Sequence, residues 1–225
     1  MKSKALSVVA LVVPLAAADA AWAQQSEGGF YVGLRANGSI VDADDISGQG
    51  FTGSIDAQND SDTVAGIAAV VGYKWDYLPI RTEVEGGYRF RFDLDVQDQG
   101  APLVDYETNL ESIVVLFNLL LEWRNESDFT PFIGGSIGYA RNDADTDRVV
   151  VPTQATTSKS NATDNLAWGV MAGVDWEFID HWSAGLAYRY IDLGEVETGT
   201  FSGGDGVSAD DYTSHDLLLT FTYRF

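Results

Sequence analysis

The stretch Leu217-Leu218-Leu219-Thr220-Phe221-Thr222-Tyr223-Arg224-Phe225 decides the fold. Leu217, Leu219, Phe221, Tyr223 and Phe225 alternate with Leu218, Thr220, Thr222 and Arg224. Successive side chains of a β-strand point to opposite faces, so a period of two gives one apolar face and one largely polar face. Hydrocarbon tolerates no unpaired backbone, so strands that cross a bilayer must close into a barrel whose last strand pairs with its first. The nine residues therefore predict the closing strand of a membrane β-barrel.

Seven earlier segments carry the same alternation: about Phe30 to Ile40, Thr63 to Trp75, Ile80 to Asp93, Leu110 to Trp123, Thr130 to Arg141, Asn165 to Phe178 and Trp182 to Leu193. In the third, Ile80, Thr82, Val84, Gly86, Tyr88, Phe90 and Phe92 face one way, and Arg81, Glu83, Glu85, Gly87, Arg89, Arg91 and Asp93 the other. An amphipathic helix repeats every 3.6 residues and cannot produce that pattern. In the fourth, the face bearing Ser112, Asn118 and Glu122 also carries Val114, Leu116 and Leu120, so a buried helix competes there; its Val, Ile and Phe content favours a strand.

The connections alternate as strictly as the strands. Long polar stretches follow the odd strands, at 41–62, 96–109, 142–164 and 194–211. Tight ones follow the even strands, around Asp76 to Pro79, Arg124 to Asp128 and Ile179 to His181. Short periplasmic turns and longer extracellular loops are the habit of outer-membrane barrels. Trp75, Trp123, Trp176 and Trp182 gather at the short-turn end, and Trp168, Tyr139, Tyr188 and Phe92 at the other, as two interfacial girdles.

Residues 1–23 read as a secretory leader: Lys2 and Lys4, an apolar run from Ala5 to Ala18, and Ala21-Trp22-Ala23 as the cleavage site. The chain carries a formal charge of −21 and a pI near 4.1, which excludes nucleic acid as an electrostatic partner. It has no cysteine, so disulfides and thiolate metal sites are out of reach.

An Arg or Lys at the midplane of the lipid face costs about 2–4 kcal/mol. The strand-borne bases must therefore point inward and the apolar rows outward. Eight strands enclose a lumen just wide enough for side chains to fill. The expected interior is a charge network of Arg35, Lys74, Arg81, Arg89, Arg91, Arg189 and Arg224 with Glu83, Glu85, Asp93, Glu122, Asp175, Glu177 and Asp216, which narrows or plugs the channel.

Other motifs have plain readings. The acidic runs at Asp42 to Asp45 and Asp205 to Asp211 lack the spacing and closing Glu of a calcium loop, so no metal site is assigned. His181-Trp182-Ser183 resembles the His-x-Ser of outer-membrane lipid deacylases, and His215 near Asp210 and Asp211 resembles barrel proteases. Ser183 points inward in this register, away from lipid, so neither is assigned catalysis.

Glu85-Gly86-Gly87-Tyr88-Arg89, Thr130 to Tyr139, Ala184 to Tyr190 and the terminal Tyr223-Arg224-Phe225 resemble the small outer-membrane barrels called opacity-type porins, similar in architecture to the OmpA transmembrane domain. The resemblance implies an integral outer-membrane protein with periplasmic termini and extracellular long loops. It also implies that Tyr223 and Phe225 serve as a signal to the barrel-assembly machinery. Partners are then outer-membrane lipids, lipopolysaccharide and an extracellular ligand on the loops; no cofactor is expected. The expected function is non-enzymatic surface display or envelope integrity. A narrow porin for small solutes is the alternative, and a lipid-modifying enzyme or protease the third reading.

Overall fold

Each alternating segment lies on a strand of the computed structural model, which describes residues 28–225 except 52, 60, 101, 102, 202 and 203. The expected leader over residues 1–23 lies outside the described residues. The strands are β1 (Gly29–Gln49), β2 (Ile55–Asn59), β3 (Ser61–Lys74), β4 (Ile80–Asp98), β5 (Val104–Glu122), β6 (Phe129–Val150), β7 (Ala155–Ile179), β8 (Trp182–Asp192), β9 (Val196–Glu197) and β10 (Gly206–Arg224). Eight form an antiparallel ring in the order β1-β3-β4-β5-β6-β7-β8-β10, and β10 closes on β1 from Tyr31↔Arg224 to Gln49↔Gly206. The strand read first in the sequence is the closing one.

Outward positions around the middle of the ring are aliphatic and exposed, among them Leu34, Ile67, Val84, Val115, Val170, Leu186 and Leu219. Trp75, Trp123, Trp176 and Trp182 are likewise exposed at the short-turn end. Arg35, Glu83, Glu85, Arg89, Arg189 and Asp216 are buried inside. This is the reverse of a water-soluble domain, and it matches a cylinder whose solvent is lipid.

Much of what the sequence reading assigned to long loops is strand. The ladders of β4, β5, β6 and β7 continue to Asp98↔Val104, Val104↔Val150 and Val150↔Ala155, with β2 added beside β4. The β1–β10 ladder also continues, with β9 beside β10. Between these two groups the wall divides: β3–β4 pairing stops at Gly66↔Arg89 and β7–β8 pairing at Trp168↔Asp192. The barrel thus opens into a crown of two sheets. Phe92, Leu94, Val96, Val104, Tyr106 and Leu110 from one meet Val41, Ala43, Val207, Ala209 and Tyr212 from the other in a single apolar cluster.

Polarity therefore inverts along each long strand. On β5 the outward residues change from Ile113 and Val115 to Glu111, Asn109 and Glu107, while the inward ones change from Glu122 and Asn118 to Leu110 and Tyr106. On β4 a bulge makes the change, because the β4–β5 register shifts between Arg89 and Phe92. Phe92 becomes fully buried, whereas Arg91 is exposed and pairs loosely with Glu111 at 3.8 Å. Arg91 and Asp93 thus leave the expected lumen network; Phe90 is outward as expected, but Phe92, expected in the outer girdle, is turned inward. Without the extra residue those two charges would enter the apolar crown, at several kcal/mol each.

Candidate functional site

The lumen is built in layers, because each strand contributes every second residue to it. At the short-turn mouth, Arg81 on β4 pairs with Asp175 on β7 and approaches Glu122 on β5 at 3.4 Å. Lys74 lies 3.7 Å from Glu122, and Arg224 pairs with Glu177 at 2.9 Å where the lumen meets solvent. The Arg81 guanidinium also stacks over Phe132, 4.8 Å from the ring centre. This arrangement holds the arginine by its flat face as well as its edges.

Above the mouth the charges are sealed. Glu85 accepts bonds from Arg35 and, at 2.9 Å, from Arg189. Glu83 pairs with Arg35 at 3.1 Å and with Arg81 at 3.1 Å, and it accepts the Tyr31 hydroxyl at 2.6 Å. Asp216 receives Arg89 at 2.5 Å and Arg189 at 3.0 Å. Arg35, Arg89 and Arg189 thus balance Glu83, Glu85 and Asp216 in this layer, with Arg81 reaching Glu83 from the mouth, as charges removed from water require. Tyr31 can reach Glu83 because Gly72 faces it: a Cβ there would lie 2.3 Å from the phenol oxygen.

Of the residues expected in the network, Arg35, Lys74, Arg81, Glu83, Glu85, Arg89, Glu122, Asp175, Arg189 and Asp216 are brought together inside the ring, with Glu177 and Arg224 at its rim. Arg91 and Asp93 are not. Tyr31, Asn118, Ser214 and Thr220 also belong, each donating a hydrogen bond to, or accepting one from, a network charge. Their inward parity was readable, but uncharged residues were not singled out. Arg124, read as part of a turn, bonds Glu122 at 3.0 Å.

The crown closes the far end. Phe51 stacks on Tyr106 with ring centres 5.1 Å apart, and Phe201 meets Tyr106 edge-on. Tyr106 donates to Asp205 at 2.7 Å, and Arg148 completes that pair, tying the segment before β10 across to β5 and β6. Burial and the Asp205 bond push the Tyr106 phenol up to about 12. Burial alone would raise Asp205, but hydrogen bonds from Tyr106 and Arg148 outweigh it and hold the carboxyl below its usual range.

His181 and Ser183 line one pocket at the short-turn end, and His215 lies away in sequence on β10. Ser183 shares a hydrogen bond with Thr222 at 2.5 Å across the ladder. His181 sits in the β7–β8 turn with φ 71°. His215 faces outward, bonded through Nδ1 to Tyr188 at 2.6 Å. Among the described residues no group of three or more His, Cys, Asp or Glu side chains is arranged to hold a metal ion.

Outer membrane protein PagN of Salmonella typhimurium is 24% identical over 95% of this chain and 97% of its own. Among solved structures, the fold is similar to that of Neisserial surface protein A (TM-score 0.51, 17% identity, 88% of this chain and 97% of that one). It is similar also to the outer membrane protein OprG from Pseudomonas aeruginosa (TM-score 0.52, 16% identity, 88% and 97%). The model of the outer membrane protein beta-barrel domain matches residues 7–225, so the chain belongs to that family and is an integral outer-membrane β-barrel.

Proposed function

We propose that this protein is a non-conducting, non-enzymatic barrel that presents its two-sheet crown at the cell surface, contributing to envelope integrity or adhesion. The observation that carries the reading is the filled lumen: a balanced ionic layer lies beneath an apolar core of more than a dozen buried side chains. A polar solute passing through would have to break both. The crown, by contrast, is strand-paired and acidic on its outside, the properties of a display platform.

On this reading the short turns and both termini face the periplasm, the leader is removed after Ala23, and Tyr223 and Phe225 act as the assembly signal. The exposed aliphatic band supports a lipid-facing role between the two girdles, with lipopolysaccharide meeting the outer one. Planar-bilayer recording of the refolded protein tests the function. The expected trace has no steady openings; a stable conductance that grows in Arg89→Ala would favour the channel reading instead.

A further inference from the structure

Where β7 parts from β8, one line in the wall lacks a backbone ladder. β7 stays paired to β6 up to Val150↔Ala155, but its pairing with β8 ends at Trp168↔Asp192. The facing segment, 193–200, is bonded to β10 on its other side through Leu193 N to Tyr212 O at 2.8 Å and Thr198 N to Val207 O at 2.9 Å. Toward β7 it is stitched by side chains: Asn165 donates to the Glu195 carbonyl at 2.7 Å, Asn161 to the Glu197 carbonyl at 3.0 Å, and Lys159 to that of Thr200. Gly194 and Gly199, with φ 79° and 72°, lie against Asn165 and Asn161.

Unpaired strand edges are normally blunted by proline, bulges or inward charges. β7 between Ala155 and Ala167 has no proline and keeps an unbroken register with β6. Among the described residues, the segment 193–200 stitched by Asn161, Asn165 and Lys159 is what guards this edge.

We propose that the β7 edge from Ala155 to Ala167 is a docking site for an extended basic polypeptide, which displaces the 193–200 segment and adds to the crown as a further strand. Only an extended backbone matches a row of alternating amide donors and acceptors. The flanking acids favour lysine and arginine: Asp164 on β7, Asp192 at the end of β8, Glu195 and Glu197 on the guard, and Asp210 on β10, opposed by Lys159 and by Arg141, which lies 3.6 Å from Asp164. The chain's formal charge of −21 disfavours a second copy as occupant. This inference rests on the surface-display reading, but binding to protein in detergent micelles is measured independently of orientation and conductance.

The test uses an alternating lysine–valine decapeptide, a control of equal charge interrupted by two prolines, and the full-length protein. An ideal Cβ at Gly199 lies 3.3 Å from the Asn161 Cβ, close to disulfide spacing, so Asn161→Cys with Gly199→Cys can lock the seam. Saturable binding is expected, at least tenfold weaker for the proline control and for the oxidised lock, and restored by reduction. Asn161→Val with Asn165→Val, which removes the stitches, should bind several-fold tighter. Equal binding of the proline peptide, undiminished binding after locking, or no binding to the reduced and stitch-free proteins would overturn the proposal. So would self-association through the edge in sedimentation, which would assign it to a second copy.

Discussion

Arg189 Nη1 donates to Glu85 Oε1 at 2.9 Å although β8 and β4 stand four places apart in the eight-membered ring, on opposite sides of the lumen. One arginine and one glutamate therefore bridge the full width of the interior. Both side chains are at most 2% exposed, so water supplies little to either charge. Removing Glu85 as Glu85→Ala strands the guanidinia of Arg189 and Arg35. The expected loss is about 3–5 kcal/mol, read as a lower unfolding temperature in detergent, with no gain of conductance because the crown still seals the lumen.

The β4 bulge makes a prediction for adjacent arginines. Arg89→Ala removes one of the two arginines bonded to the buried Asp216 and should destabilise strongly. Arg91→Ala, on the exposed outside, should change stability by no more than about 0.5 kcal/mol. Equal losses in urea titrations would mean that the strand runs without the extra residue.

Phe92 packs on Tyr212 in the crown with ring centres 5.9 Å apart. Phe92→Ala leaves a cavity that rigid sheets fill poorly, at about 3–5 kcal/mol. Limited proteolysis should then cut within the crown while the membrane-embedded ring resists; uniform resistance of the variant would contradict a packed crown.

The Tyr106–Asp205–Arg148 latch fixes a pH dependence. Asp205 is held below its ordinary value in the folded chain, so its stabilisation is present above the ordinary carboxylate range and is lost as pH falls through the lowered value. Tyr106, at about 12, stays a protonated donor throughout physiological pH. The gap in unfolding temperature between wild type and Asp205→Asn should hold near neutrality and close only in acid below about 4. A gap that closes between pH 6 and 8 would exclude the latch.

The ring was legible because the lipid band demands strict alternation: Ile80 to Arg89 could be assigned residue by residue. The crown was not, although Leu94 and Val96 alternate with Asp93, Asp95 and Gln97 just as cleanly. Its polarity is opposite to that of the ring, so acids that face water above the membrane looked like loop. The bulge at Arg91 hides the change of phase, since a one-residue slip exchanges the faces and no Gly or Pro announces it. In the lumen the charges were readable from the cost of facing lipid, whereas Arg124 lies in a turn where no parity applies. The stitches by Asn161 and Asn165 depend on where a ladder stops, which alternation cannot reveal.

Apolar rows meet lipid in the ring and turn inward above it. Nitroxide labels placed singly at Val115, Leu186, Leu94 and Asp145 in bilayer-reconstituted protein test this arrangement by collision with oxygen and with a water-soluble nickel chelate. Oxygen contact is expected at Val115 and Leu186, chelate contact at Asp145 and shielding from both at Leu94. Chelate contact at Val115 and Leu186, or shielding of those two positions from lipid, would contradict it.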